Sequence, residues 1–150
     1  MSGIGTIHAS AVAVGDRGVL VRGAPGSGKS SLVLGLIDRD PDTSFLVADD
    51  RVLLAAVDGR LEASPPETIA GRLEVRGLGI VAVPYVSPCS IALVVDLLPA
   101  ERCPRFPEPR ERTTVLLGHA LRRLLLPIGA VDGPARVRFS LRHFPEDDGA

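Results

Sequence analysis

Residues 23 to 30 read Gly23-Ala24-Pro25-Gly26-Ser27-Gly28-Lys29-Ser30, which fits the spacing G-x-x-x-x-G-K-[ST]. Few short stretches restrict a fold as tightly. The glycines let the backbone turn sharply enough to aim successive N–H groups inward, where they can meet phosphate oxygens. A helix that opens directly after such a loop adds the positive end of its dipole. Lys29 then reaches the β and γ phosphates, and the Ser30 hydroxyl takes a Mg²⁺ position. The motif demands a strand before it and a helix after it. Val19-Leu20-Val21 supply the first, while Leu32, Val33, Leu36 and Ile37 recur at helical spacing from Ser30 to Asp38. All eight loop residues are therefore candidate phosphate-binding positions.

Composition narrows the partners. Of 17 basic residues only Lys29 is a lysine, and the chain contains no Asn, Gln or Trp. A net charge of -1 with dispersed arginines leaves no basic stripe for nucleic acid. One Tyr and four Phe argue against a base-stacking face. No apolar run approaches the roughly 20 residues of a membrane helix, and no charged-then-apolar leader opens the chain, so the expected location is the cytoplasm. Cys89 and Cys103 lie far apart without zinc spacing and read as ordinary thiols. A length of 150 residues suits one domain. Its expected extent is 1–143, with 144–150 a disordered acidic tail.

The remaining pattern is α/β. Ile4 to Val14 and Val19 to Val21, joined by Gly15-Asp16-Arg17-Gly18, predict a hairpin. Asp40-Pro41-Asp42 closes the first helix. Strands are expected at Phe45–Ala48, Val52–Val57, Arg60–Glu62 and Ile91–Asp96, with a short helix near Ser64–Glu67 and a Pro-rich loop from Pro99 to Pro109. Leu116, Leu117, Ala120, Leu121 and Leu124 predict a helix over 113–126. Alternation of Val137, Phe139 and Leu141 predicts an edge strand over 136–142.

A phosphate-binding loop leaves the reaction open. The guanine-reading Asn-Lys-x-Asp element of Ras-like GTPases requires an Asn this chain lacks. No segment is long enough for the lid of a nucleoside monophosphate kinase, and an AAA-type ATPase needs a longer chain. A small kinase or a binding module remains. Two strands end in acids, at Asp49-Asp50 and at Asp96. A carboxylate there can hold Mg²⁺ or take a proton from an attacking hydroxyl. Asp49 is the favoured position, Asp50 is equally explained as a turn residue, and Asp96 reads as structural. By themselves, His8 is an ordinary strand residue, and Glu74 and Arg76 are charges flanking a glycine turn.

Four stretches in order carry a more specific signal: Ile7-His8-Ala9-Ser10, the loop Gly23 to Ser30, Leu46-Val47-Ala48-Asp49-Asp50, and Leu73-Glu74-Val75-Arg76-Gly77-Leu78-Gly79-Ile80. Together they resemble the catalytic domain of the HPr kinase/phosphorylase family, in its short, single-domain form. The resemblance implies a P-loop fold of the phosphoenolpyruvate carboxykinase-like type, a mixed sheet with flanking helices, and a homo-oligomer, specifically a hexamer. It implies an ATP- and Mg²⁺-dependent serine kinase acting on HPr or an HPr-like phosphocarrier, without nucleic acid or membrane. In that role Lys29 neutralises the transferring phosphate, Ser30 and Glu74 ligate Mg²⁺, Asp49 acts as base, His8 adjusts it, and Arg105 contributes from the Pro-rich loop. The reverse direction, in which inorganic phosphate attacks phosphoserine to give pyrophosphate, is tied in the family to a terminal Pro-Gly-Arg-Asn loop. A chain without Asn cannot contain that loop, and Leu126-Pro127-Ile128-Gly129 stands in its place. An ATP-binding regulatory module without phosphoryl transfer is the alternative; a small-molecule kinase would leave residues 73–80 unexplained.

Overall fold

Val19, Leu20 and Val21 precede the glycine loop, and all three are completely buried. A strand buried on both faces needs two cores, and the computed structural model, which describes residues 4–145, supplies them. The chain opens with β1 (Ile4–His8), β2 (Ser10–Val14) and β3 (Arg17–Gly23), followed by helix α1 (Lys29–Arg39). Next come β4 (Ser44–Ala48), the hairpin β5 (Arg51–Val57) and β6 (Arg60–Ser64), and a small hairpin of β7 (Arg72–Val75) and β8 (Gly79–Ala82). The long β9 (Cys89–Leu98), the hairpin β10 (Thr113–Leu116) and β11 (His119–Pro127), and helix α2 (Gly133–Arg142) complete the fold. No helix among the described residues is long and apolar enough to cross a membrane.

The main sheet runs β10-β11-β9-β3-β2-β4, with β3, β9 and β11 parallel and the other pairs antiparallel. The second sheet, β1-β5-β6, joins the first through Glu62 and Ala63, which pair with Ser90 and Cys89 at the start of β9. Side chains alternate across a strand, so one sheet feeds both cores. Ala11, Ala13, Leu20 and Val94 face the second sheet, where Val52, Leu54, Leu61 and Ala63 meet them. Val12, Val19, Val21, Leu93 and Val95 face the helices, packing with Leu32, Val33 and Leu36 of α1 and Val137 of α2. This is the expected α/β arrangement of a mixed sheet with flanking helices.

Three local expectations are corrected. The strand expected from Ile4 to Val14 divides at Ala9, so that β1 joins β5 and β2 stays with β3. Ala9 is fully buried and donates its N–H to the Asp50 carbonyl. The helix expected over 113–126 is the β10–β11 hairpin. Leu117 and Gly118 form a two-residue turn with φ of 47° and 80°, the left-handed pair that such hairpins use. The leucines then split by parity: Leu121 packs on the first core, while Leu124 and Leu126 join the second. Conversely, the edge strand expected over 136–142 lies in α2. Val137 and Leu141, one helical turn apart, face the core and leave Phe139 59% exposed. Pro134 sits in its first turn, where a missing N–H costs nothing.

The tail expected from 144 is described only as far as Pro145, and residues 146–150 lie outside the described residues. Phe144 packs against the second core, with the Arg122 guanidinium 5.1 Å from its ring centroid. Cys89 and Cys103 are free thiols.

Asp96 is structural, as expected. Arg22 of β3 donates two hydrogen bonds of 2.8 Å to its carboxylate, and Arg123 of β11 donates another. Three parallel strands are thereby clamped at the end that opens into the glycine loop. Burial would raise the Asp96 pKa, but the hydrogen bonds and charges of both arginines outweigh it and hold it below the ordinary carboxylate value. Asp96→Asn would leave two arginines without their counter-charge. The expected loss is about 2–4 kcal/mol, reduced from a fully buried pair because each arginine keeps 26% exposure. A lowered carboxylate pKa stabilises the fold above the unfolded value and ceases to do so as pH falls through the folded one. Denaturant titrations should therefore show the widest gap between wild type and variant near neutral pH, closing in acid.

Candidate active site

The glycine loop leaves β3 at Gly23 and enters α1 at Lys29. Gly26 and Gly28 hold φ of 77° and 95°, a region that side chains rarely adopt. At Gly23 the constraint is space, since a Cβ there would stand 2.3 Å from Ser27 Oγ. Ser27 Oγ is buried without a hydrogen-bond partner. No side chain caps α1, so its first N–H groups remain available to an anion. The Lys29 ammonium lies over the loop, donating to the carbonyls of Gly23 at 3.0 Å and Ala24 at 3.2 Å.

Asp49 sits just beyond β4, 7% exposed, and three elements converge on its carboxylate. Ser10 of β2 donates to Oδ1 at 2.8 Å, Ser30 of α1 donates to the same oxygen at 2.6 Å, and the Glu74 N–H of β7 donates to Oδ2 at 3.0 Å. The Ser10 hydroxyl also accepts the Asp50 N–H at 3.1 Å. Beyond it the chain turns within three residues, closed by the Arg51 N–H on the Asp49 carbonyl at 2.8 Å, with Asp50 at φ 69°. Left-handed geometry at a non-glycine residue is uncommon and concentrates at functional sites. Here it carries Asp50 to the wall of a cavity that Asp49 itself does not line.

That cavity has a volume of about 220 Å³ and is lined by Ser10, Lys29, Ser30, Asp50, Glu74 and Arg76, besides the loop itself. It unites positions that lie far apart in the chain. The residues suit a magnesium–phosphate group: because Ser30 Oγ directs its proton at Asp49, its lone pairs remain for a cation, and Glu74 adds a carboxylate on the same wall. Magnesium keeps several waters and needs only one or two carboxylates besides phosphate oxygens. Among the described residues no cluster of three or more His, Cys, Asp or Glu forms a metal cage.

His8 ends β1 paired with Arg51, which places its backbone beside this turn, but its side chain is exposed and does not line the cavity. Arg105 is exposed on the loop between β9 and β10, 5.5 Å from the centroid of the Phe106 ring, and likewise does not line it. Two residues gain importance from the structure. The sequence alone assigns Ser10 no role, although a lone hydroxyl between Ala9 and Ala11 signals a buried donor in need of a partner. Arg76 read as a turn charge and proves to line the cavity.

The family model for the HPr serine kinase C-terminal domain matches residues 1–131, a span that includes every residue of this cavity. The chain belongs to the HPr serine kinase C-terminal domain family. An HPr kinase/phosphorylase of Bordetella pertussis is 33% identical over 135 residues, covering 83% of this chain and 43% of that protein. Another, from Clostridium tetani, is 45% identical over 92 residues, covering 61% of this chain and 29% of that protein. The chain thus spans less than half the length of either relative. A solved structure of the Hpr(Ser) kinase/phosphatase from Coxiella burnetii superposes with a TM-score of 0.78 at 30% identity, covering 92% of this chain and 88% of that one.

Within this family domain, Ser10 holds the aspartate turn together. Ser10→Ala removes a donor from Asp49 and an acceptor from the Asp50 N–H at a completely buried position. Chemical denaturation should register a loss of about 1–3 kcal/mol.

Proposed function

We propose that the domain transfers the γ-phosphoryl group of ATP to a serine hydroxyl of HPr or an HPr-like phosphocarrier. The observation that carries this reading is the convergence of the glycine loop, the aspartate turn and Glu74 on one cavity. Names of the relatives support the substrate, since both curated proteins are called HPr kinase/phosphorylase.

The loop N–H groups and Lys29 hold the phosphates and balance their charge. Bound through Ser30 and Glu74, Mg²⁺ would supply further charge neutralisation on the phosphate oxygens. The serine oxygen forms a bond to γ-phosphorus as the bond to the bridging oxygen breaks, ADP departs, and the serine proton passes to a carboxylate. Of the two aspartates, Asp50 is the better placed for that proton, because it reaches the cavity wall while both Asp49 oxygens already accept hydrogen bonds. The role expected for Asp49 is accordingly divided: it orients Ser30, and Asp50 serves as base.

His8 and Arg105 are proposed contributors from outside the cavity wall. Phosphorolysis of phosphoserine is the less supported half of the activity, because residues 126–129 carry no polar side chain to hold a second phosphate. Assembly as a homo-oligomer belongs to the same proposal and is supported by Phe106 and Val131, which are 82% and 95% exposed.

The test is incubation of the chain with ATP, Mg²⁺ and the HPr of the same organism, followed by phosphoserine detection. Asp50→Asn should lower transfer about 10²- to 10⁴-fold with nucleotide affinity retained. Asp49→Asn should impair both transfer and Mg-nucleotide binding. Nucleotide binding without any phosphoserine would overturn the kinase reading in favour of a regulatory module.

A further inference from the structure

Asp50 owes its place on the cavity wall to its backbone, and both polar groups of that backbone are held by one short segment. Its carbonyl accepts the Ala9 N–H at 3.2 Å, and its N–H donates to Ser10 Oγ at 3.1 Å. Ala9 and Ser10 lie at the break between β1 and β2, and both are completely buried. Partners so deeply placed are not readily replaced by water. Asp50 itself is exposed on the cavity side, at a φ of 69°. Left-handed geometry persists at such a residue where the surroundings over-determine it. Two bonds from consecutive residues do so here.

The Ser10 hydroxyl also donates to Asp49 Oδ1 at 2.8 Å, the oxygen that accepts the Ser30 hydroxyl at 2.6 Å. One side chain thus joins the carboxylate that orients Ser30 to the backbone of Asp50. Among side chains small enough to stand between Ala9 and Ala11, only a hydroxyl donates and accepts strongly through a single atom. Alanine does neither, and a thiol does both weakly.

Resting on the assignment of Asp50 as base, we infer that Ser10 is a positioning residue for phosphoryl transfer, keeping the Asp50 carboxylate aimed at the acceptor serine. Nucleotide binding does not depend on it. Without Ser10 Oγ, the Ser30 hydroxyl and the Glu74 N–H still hold Asp49, so the phosphate side of the cavity stays assembled. The Asp50 N–H, in contrast, loses the acceptor that fixes its turn. A base must stand within hydrogen-bond reach of the proton it takes. Displacement of its carboxylate therefore costs rate and spares affinity.

Steady-state transfer from ATP to the HPr of the same organism tests this in Ser10→Ala, Ser10→Cys, Asp50→Asn and the Ser10→Ala/Asp50→Asn double variant of the full chain. Both Ser10 variants should lower kcat about 10- to 100-fold. Their KM for Mg-ATP should stay within about threefold of wild type. Cysteine fills the space of the hydroxyl, so it carries the test if the alanine variant does not fold. In the Asp50→Asn background, Ser10→Ala should cost less than about twofold more, because the group it positions is already gone. Amide hydrogen exchange of the nucleotide-free chain gives a readout apart from activity. The Asp50 N–H should exchange at least about tenfold faster in both Ser10 variants, with the Glu74 N–H unchanged.

An equal fold-loss in both backgrounds, a loss carried by the KM for Mg-ATP, or wild-type kcat in both Ser10 variants would overturn the positioning role. Unchanged exchange at Asp50 would overturn it too. If Asp50→Asn alone lowers transfer as expected while the Ser10 variants do not, this inference falls and the base assignment stands. Wild-type transfer by Asp50→Asn would overturn both.

Discussion

The Asp49 carboxylate is the joint around which the site is assembled. Three hydrogen bonds reach it from β2, α1 and β7, elements that otherwise belong to different layers of the molecule. A carboxylate only 7% exposed cannot rely on water for its solvation, so these donors are obligatory. Each one also fixes something else. Ser30 sets the first turn of the helix after the glycine loop, Ser10 holds the neighbouring Asp50 N–H, and the Glu74 N–H draws the small β7–β8 hairpin against the loop. Removing the carboxylate would loosen three walls of the cavity at once.

The two-core arrangement explains why the joint can be so small. Narrow side chains at Ala9, Ala11, Ala13 and Ala48 bring β2 and β4 close to the second sheet, and Val12 and Leu46 on the opposite face anchor the helices. At the open end of these strands, the Arg22–Asp96–Arg123 clamp fixes the spacing of β3, β9 and β11 immediately before Gly23. The loop therefore hangs from strands whose separation is set by charge at one point and by aliphatic packing elsewhere. That rigidity holds the loop N–H groups in a fixed arrangement, as a preorganised site requires.

Legibility in the sequence followed the physics of each signal. The glycine loop, its helix and the strands on either side of Asp58-Gly59 form as expected, and the loop and that turn rest on backbone conformations that few residues tolerate. The leucine run at 116–126 misleads because leucines at helical spacing also alternate across a strand fed by two cores; Gly118 was the contrary sign. At 137–141, residues spaced by two and four satisfy both periods, and only Pro134 marks a helix start. Within the site, the loop, Asp49 and Glu74 were visible as motifs. The unequal exposure of Asp49 and Asp50 was not, because it depends on a left-handed turn whose Asp50 N–H is held by a hydroxyl 40 positions away. His8 and Arg105 entered by resemblance alone, and the geometry leaves them outside the cavity wall.

Lys29 is the only lysine of the chain, and its ammonium rests on two carbonyls of the loop it serves. The chain therefore carries a single ε-amine, located on its glycine loop. Amine-selective reagents that would scatter over most proteins have one side-chain target here, so the extent of their reaction reads directly the exposure of the loop. Occupancy of the site could be followed by footprinting at one residue, in a cell extract as well as in pure solution. The arginine-rich surface that makes the composition look featureless is what keeps that readout clean.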